Sequence, residues 1–123
     1  MERDFTYIAD IVEAVVRLLP HIPQANPAWR ETDGDLSASF APYKVYNIGN
    51  SHPEKLGYFI EVLEQALGRR AAIEYLPMQP GDVPSTCAAV SDLIRDIGFR
   101  PATSIEEGLN AFVSWYREYY SVV

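Results

Sequence analysis

The chain has 123 residues, enough for one hydrophobic core but not two, and 48% apolar with 12% aromatic residues marks it as globular rather than disordered. Seventeen acidic against ten basic residues leave a net charge of −7, which argues against a nucleic-acid or anionic-membrane surface. The single cysteine, Cys87, excludes an internal disulfide and a cysteine-rich metal site, and His21 and His52 are too few and too isolated for zinc. No apolar run approaches the ~18 residues of a membrane span. Met1-Glu2-Arg3-Asp4 does not open a signal peptide, so the expected location is cytoplasmic.

In chain order, residues 3–8 are rich in β-branched and aromatic types and predict a short strand. Asp10, with Glu13 three residues on, has the pattern of a capping box opening a helix over 10–19. That helix carries Ile11, Val12, Val15, Val16 and Leu19 on one stripe and is stopped at Pro20. Residues 20–42 form a long proline-rich loop, either a lid over a ligand or a linker, with Trp29 as its candidate anchor. Residues 43–48 read as a second strand, closed by Gly49-Asn50. Ser51 and Glu54 then suggest a further capping box for a helix over 52–67 that ends at Gly68. Residues 72–76 read as a third strand. Ser91 can cap a helix over 91–97 stopped by Gly98, and Ser104 with Glu107 a final helix over 104–120. The aromatic stripe of that last helix, with Phe112, Trp115, Tyr116, Tyr119 and Tyr120, is expected to belong to the core.

The stiffest stretch is Leu76-Pro77-Met78-Gln79-Pro80-Gly81-Asp82-Val83-Pro84. Three prolines and a glycine leave its backbone little freedom to lose, and Pro80-Gly81 fits the central pair of a type II turn. That turn presents Asp82, the only charged side chain between Glu74 and Asp92. A carboxylate held there can accept hydrogen bonds from neighbouring sugar hydroxyls, or else bond its own backbone as many turn aspartates do.

Catalytic signatures are missing. The sequence has no G-x-G-x-x-G, P-loop, G-x-S-x-G or H-E-x-x-H, and neither lysine follows a tyrosine by four, since Phe40 precedes Lys44 and Ser51 precedes Lys55 at that offset. The chain alone is therefore not expected to be an enzyme.

The order of its segments nevertheless resembles one family. Arg3-Asp4-Phe5-Thr6-Tyr7-Ile8, Ala41 to Ser51, Leu76 to Pro84, Gly98 to Thr103 and Phe112 to Tyr120 together resemble the C-terminal part of bacterial UDP-glucuronate 4-epimerases. These are extended short-chain dehydrogenase/reductase proteins, and the resemblance covers essentially the whole chain. It implies an α/β substrate-binding region, residues 1–123, with helices around short strands and without the N-terminal Rossmann domain that binds NAD and carries the catalytic Tyr-x-x-x-Lys pair. It implies a UDP-sugar ligand, no metal, and a parent enzyme that inverts C4 through a 4-keto sugar to supply uronic acids for surface polysaccharide. A region without its sheet partners is expected to expose strand edges and apolar surface and to form homodimers.

By the same resemblance Arg3 matches an arginine set against the diphosphate, and Asp82 a carboxylate that receives the ribose hydroxyls. Gln79 falls where related galactose epimerases carry a second phosphate-binding arginine, so it can donate a hydrogen bond but adds no charge. Asn47 either touches the ligand or supports the loop. Two positions depart from the family pattern: Ala9 replaces an aspartate after the first strand, and Ala89 one after the proline-rich loop, passing a helix cap to Ser91. Alternative readings are a related 4,6-dehydratase or decarboxylase fragment, or a free-standing interaction module that begins at Met1 and docks through its tyrosine-rich helix.

Overall fold

A computed structural model of the chain describes residues 1–122. Its elements run β1 (Glu2–Arg3), α1 (Ile8–Leu18), a 3-10 turn (Glu31–Asp33), β2 (Glu54–Lys55), α2 (Leu56–Leu67), α3 (Ser91–Ile97) and α4 (Ile105–Tyr120). The helices stand close to where periodicity puts them. The strands do not.

Of the apolar run 3–8, only its start is a strand. β1 pairs antiparallel with β2, Glu2 opposite Lys55 and Arg3 opposite Glu54. Beyond Arg3 the chain turns into α1, which begins two residues before Asp10. Tyr7 caps it in an extended conformation (φ −75°, ψ 143°) with no side-chain bond. Asp10 thus lies in the first turn, where its carboxylate accepts the Thr103 N–H at 3.0 Å instead of capping its own helix. The Ser51–Glu54 box does not form either. Ser51 takes φ +56° and donates its hydroxyl to the Ala88 carbonyl, while β2 occupies the residues that would have been the first turn of α2.

Residues 43–48 contribute only an isolated bridge, Ala38 to Lys44, with Val45 N–H donating to Ser37 at 2.8 Å. Residues 72–76 pair with nothing among the described residues and are exposed throughout. β-rich composition favours a ladder only where a neighbouring strand supplies the other half of the hydrogen bonds. The 20–42 loop is tied mainly to itself: Trp29 donates to the Asp35 carbonyl at 3.0 Å and packs against Phe40.

At Ser104, Gly68 and Gly98 expectation and structure agree, and at Ser91 they do not. Ser104 accepts the Glu107 N–H at 3.2 Å and the Glu107 carboxylate accepts the Ser104 N–H at 3.3 Å, a complete capping box. Gly68 and Gly98 end α2 and α3 at φ +67° and +63°, a left-handed conformation that disfavours residues with a Cβ. Ser91 is already inside α3, and Val90 before it caps without a side-chain bond.

The core lies between α2 and α4. Val62, Ile105 and Leu109 are buried, with Phe5, Phe59 and Leu63 packed against them and the Phe5 and Phe59 rings stacked at 4.3 Å. The two helices run in the same sense. Tyr58 donates to Glu106 near their starts, and Arg117 donates to the Leu67 carbonyl at 2.8 Å near their ends. This register corrects the expectation for the aromatic stripe. Val113 is buried, but Phe112, Trp115, Tyr116, Tyr119 and Tyr120 are all exposed. α2 covers only one side of α4, and it stops at Leu67, level with Arg117, so Tyr119 and Tyr120 extend past it. The apolar stripe of α1 is likewise open: Ala14 is fully buried, while Val12, Val15, Val16 and Leu19 are exposed. No helix among the described residues is long and apolar enough to cross a membrane.

Candidate functional site

Pro80 and Gly81 form the expected turn. The Asp82 N–H donates to the Gln79 carbonyl at 3.1 Å, and Gly81 has the positive φ, +88°, that a type II turn requires at that position. The turn delivers Asp82 onto Arg3, 79 residues away in sequence. Arg3 Nη2 donates to Asp82 Oδ1 at 2.6 Å, and Nη1 donates to the carbonyls of Glu2 and Val83, both at 2.8 Å. Asp82 Oδ1 also accepts its neighbour's N–H, from Val83 at 3.2 Å. One carboxylate oxygen thus serves both the ion pair with Arg3 and the local backbone bond expected of a turn aspartate. Asp82 Oδ2, and the Nε of Arg3, make no hydrogen bond among the described residues.

The approach is held by a residue that sequence reasoning passed over. Asp4, next to Arg3, accepts backbone N–H groups from Ser51 at 3.0 Å, His52 at 3.3 Å and Ala88 at 2.8 Å. Its own N–H donates to Thr86 Oγ1 at 3.2 Å, and the Glu2 N–H donates to the Pro84 carbonyl at 2.8 Å. β1 is therefore bordered by β2 on one edge and by residues 84–88 on the other, which fixes the proline-rich loop beside Arg3. Gly49 makes the crossing possible: a Cβ there would lie 2.3 Å from Ala88 Cβ and 3.0 Å from Asp4 Oδ2. A signal was present, in an aspartate beside the candidate arginine and a glycine closing a β-rich run, but its partners are distant in sequence.

The other nominated residues are less engaged. Gln79 is exposed, and only its backbone carbonyl is used, in the turn; Asn47 is exposed and bonds to none of Arg3, Gln79 or Asp82. Arg3 and Asp82 lie on open surface, with side chains 24% and 35% accessible. An apolar groove of about 320 Å³ between the start of α1 and α4, lined by Phe5, Tyr7, Ile8, Phe59 and Phe112, includes neither.

A second polar cluster ties α3 to the 37–46 segment. Lys44 Nζ bonds Asp92 at 2.6 Å and Ser37 Oγ at 2.9 Å, Tyr46 donates to Asp96 at 2.9 Å, and Arg95 reaches both aspartates. The Lys44 hydrogen bond holds the Asp92 carboxyl below its ordinary pKa, and the Arg95 hydrogen bond does the same for Asp96. Burial, followed by the bond to Asp96, raises the Tyr46 phenol. Every charged group in this cluster is matched, which suits a structural tie. No group of three or more His, Cys, Asp or Glu among the described residues could hold a metal ion.

Comparison with known proteins gives this geometry a setting. The chain is 53% identical over 120 residues to Protein CapI of Staphylococcus aureus, covering 98% of this chain and 36% of that protein. It is 45% identical over 122 residues to a probable UDP-glucuronate 4-epimerase of Rhizobium meliloti, covering 98% and 36%, and 38% identical over 121 residues to UDP-glucuronate 4-epimerase 6 of Arabidopsis thaliana, covering 98% and 25%. The chain belongs to the UDP-glucuronate 4-epimerase family. It matches the C-terminal part of the family and spans about a third of the length of the curated relatives it matches first. No family model matches it. Among solved structures, MoeE5 in complex with UDP-glucuronic acid and NAD superposes with a TM-score of 0.68 at 26% identity, covering 94% of this chain and 33% of that one. The UDP-glucose 4-epimerase of Bifidobacterium longum in complex with NAD+ and UDP superposes at 0.71 with 20% identity, covering 94% and 30%, a likeness of fold. The chain thus has the fold of the corresponding part of these larger α/β proteins, in keeping with the expected fold class.

Proposed function

We propose that this chain is the nucleotide-sugar-binding part of an NAD-dependent UDP-glucuronate 4-epimerase, which interconverts UDP-glucuronate and UDP-galacturonate for surface polysaccharide in the cytoplasm. The observation that carries the reading is the meeting of Arg3 and Asp82 at 2.6 Å, on a loop stiffened by Pro80 and Gly81. A permanently charged guanidinium beside a carboxylate matches a ligand that joins a diphosphate to a ribose. Arg3 would bind the diphosphate, Asp82 the ribose hydroxyls, and Gln79 would add a neutral donor. Asn47 would serve the sugar end or brace its own segment.

NAD does not fit this chain's own residues. The described strands are two residues long, and no glycine-rich strand-to-helix turn follows either of them. The cofactor would be held by a Rossmann domain elsewhere in the parent enzyme. The open faces of α1 and α4 are apolar enough to pack against such a domain or in a homodimer.

The test is thermal unfolding of the 123-residue chain with UDP, UDP-glucuronate or free glucuronate. A ligand that binds only the folded state stabilises it by about 2.7 kcal/mol at a hundred times its dissociation constant. Both UDP ligands should raise the midpoint and free glucuronate should not; Arg3→Ala should abolish the shift and Asp82→Ala should reduce it. Equal shifts in wild type and both variants would place the ligand elsewhere on the chain.

A further inference from the structure

We infer that the Arg3–Asp82 ion pair is a selectivity device: it neutralises the site so that a bare phosphate or pyrophosphate binds weakly, and only a ligand carrying both a diphosphate and vicinal hydroxyls satisfies both side chains. This rests on the nucleotide-sugar reading above and adds to it what the two groups do to each other.

The geometry points this way. Asp82 compensates the Arg3 charge at 2.6 Å, and Nη1 of Arg3 is already bonded to two backbone carbonyls. Gln79 contributes no charge, and the chain carries −7 overall. An incoming inorganic anion therefore meets a cation that is partly satisfied and a carboxylate that repels it. The pair is end-on, however, through Oδ1 alone, which leaves Asp82 Oδ2 and Arg3 Nε without partners among the described residues. A nucleoside diphosphate can donate a ribose hydroxyl to Oδ2 while its diphosphate takes the remaining guanidinium N–H groups. The hydroxyl donors offset the repulsion that a phosphate alone cannot relieve, and the pair need not break.

Calorimetric titration of the 123-residue chain with inorganic pyrophosphate, uridine and UDP tests this, using wild type, Asp82→Asn and Asp82→Ala. Asp82 sits on an exposed loop, so both variants should keep the fold, and circular dichroism confirms it for whichever is used. Removing the carboxylate charge should tighten pyrophosphate binding at least about threefold, the scale on which a partly exposed charge pair acts. It should also weaken uridine and shrink the preference for UDP over pyrophosphate by about tenfold, the loss expected when a charged acceptor of a ligand hydrogen bond is removed. Pyrophosphate affinity unchanged or lowered in both variants overturns the inference, whatever UDP does. Failure of wild type to bind UDP instead overturns the nucleotide-sugar reading on which it rests.

Discussion

Asp4 shows how much one side chain can organise. Its carboxylate satisfies three backbone donors from two separate segments, 51–52 and 88, and hydrogen bonds to a charged acceptor exceed neutral ones in strength. Asp4→Ala should therefore destabilise the chain by roughly 3 kcal/mol in urea unfolding, with Asp4→Asn milder because it keeps an acceptor. A loss below about 0.5 kcal/mol would mean that water replaces the clip at no cost. The sequence marked Arg3 and Asp82 because the family resemblance attaches a ligand role to each. It left Asp4 unmarked because a carboxylate that accepts from backbone needs no particular residue opposite it, only a chain path that comes near. Such a path is a property of the fold.

Among the elements, the caps divide into those that local sequence decides and those it does not. Ser104 and Glu107 meet because a box of this spacing closes within one turn, with no distant neighbour competing for either side chain. Asp10 and Ser51 have the same spacing to a glutamate, yet each is drawn away, Asp10 to the Thr103 N–H and Ser51 to the Ala88 carbonyl. Ser91 misses the cap by one residue. Ser104→Ala should accordingly cost about 1 kcal/mol in denaturant unfolding, whereas Ser91→Ala should stay within about 0.5 kcal/mol. Equal costs for the two would contradict this assignment of caps. Strands were the least legible elements for a related reason. Residues 43–48 and 72–76 have β composition, but among the described residues they find one bridge and no ladder.

At the scale of the whole molecule, the unusual feature is the apolar surface left open. Val12 is 53% exposed and Leu19 75%, and the α4 aromatics stand out beyond α2. Surface of this kind favours association in water. The chain should self-associate with rising concentration in sedimentation velocity, and a Val12→Glu, Leu19→Glu double variant should reduce it. Because both side chains already face solvent, the same variant should leave unfolding stability within about 0.5 kcal/mol per site. Unchanged association would show that α1 is not the face involved.

Helix positions, the glycine stops at 68 and 98, the Ser104 box and the Pro80-Gly81 turn were determined by sequence alone, because each depends on residues within a turn or two of one another. The tertiary structure decided which face of α4 is buried, which caps are diverted, and that Arg3 and Asp82 touch. Those outcomes depend on where distant segments cross, and here the crossing is set by Asp4 and by the space that Gly49 leaves for Ala88.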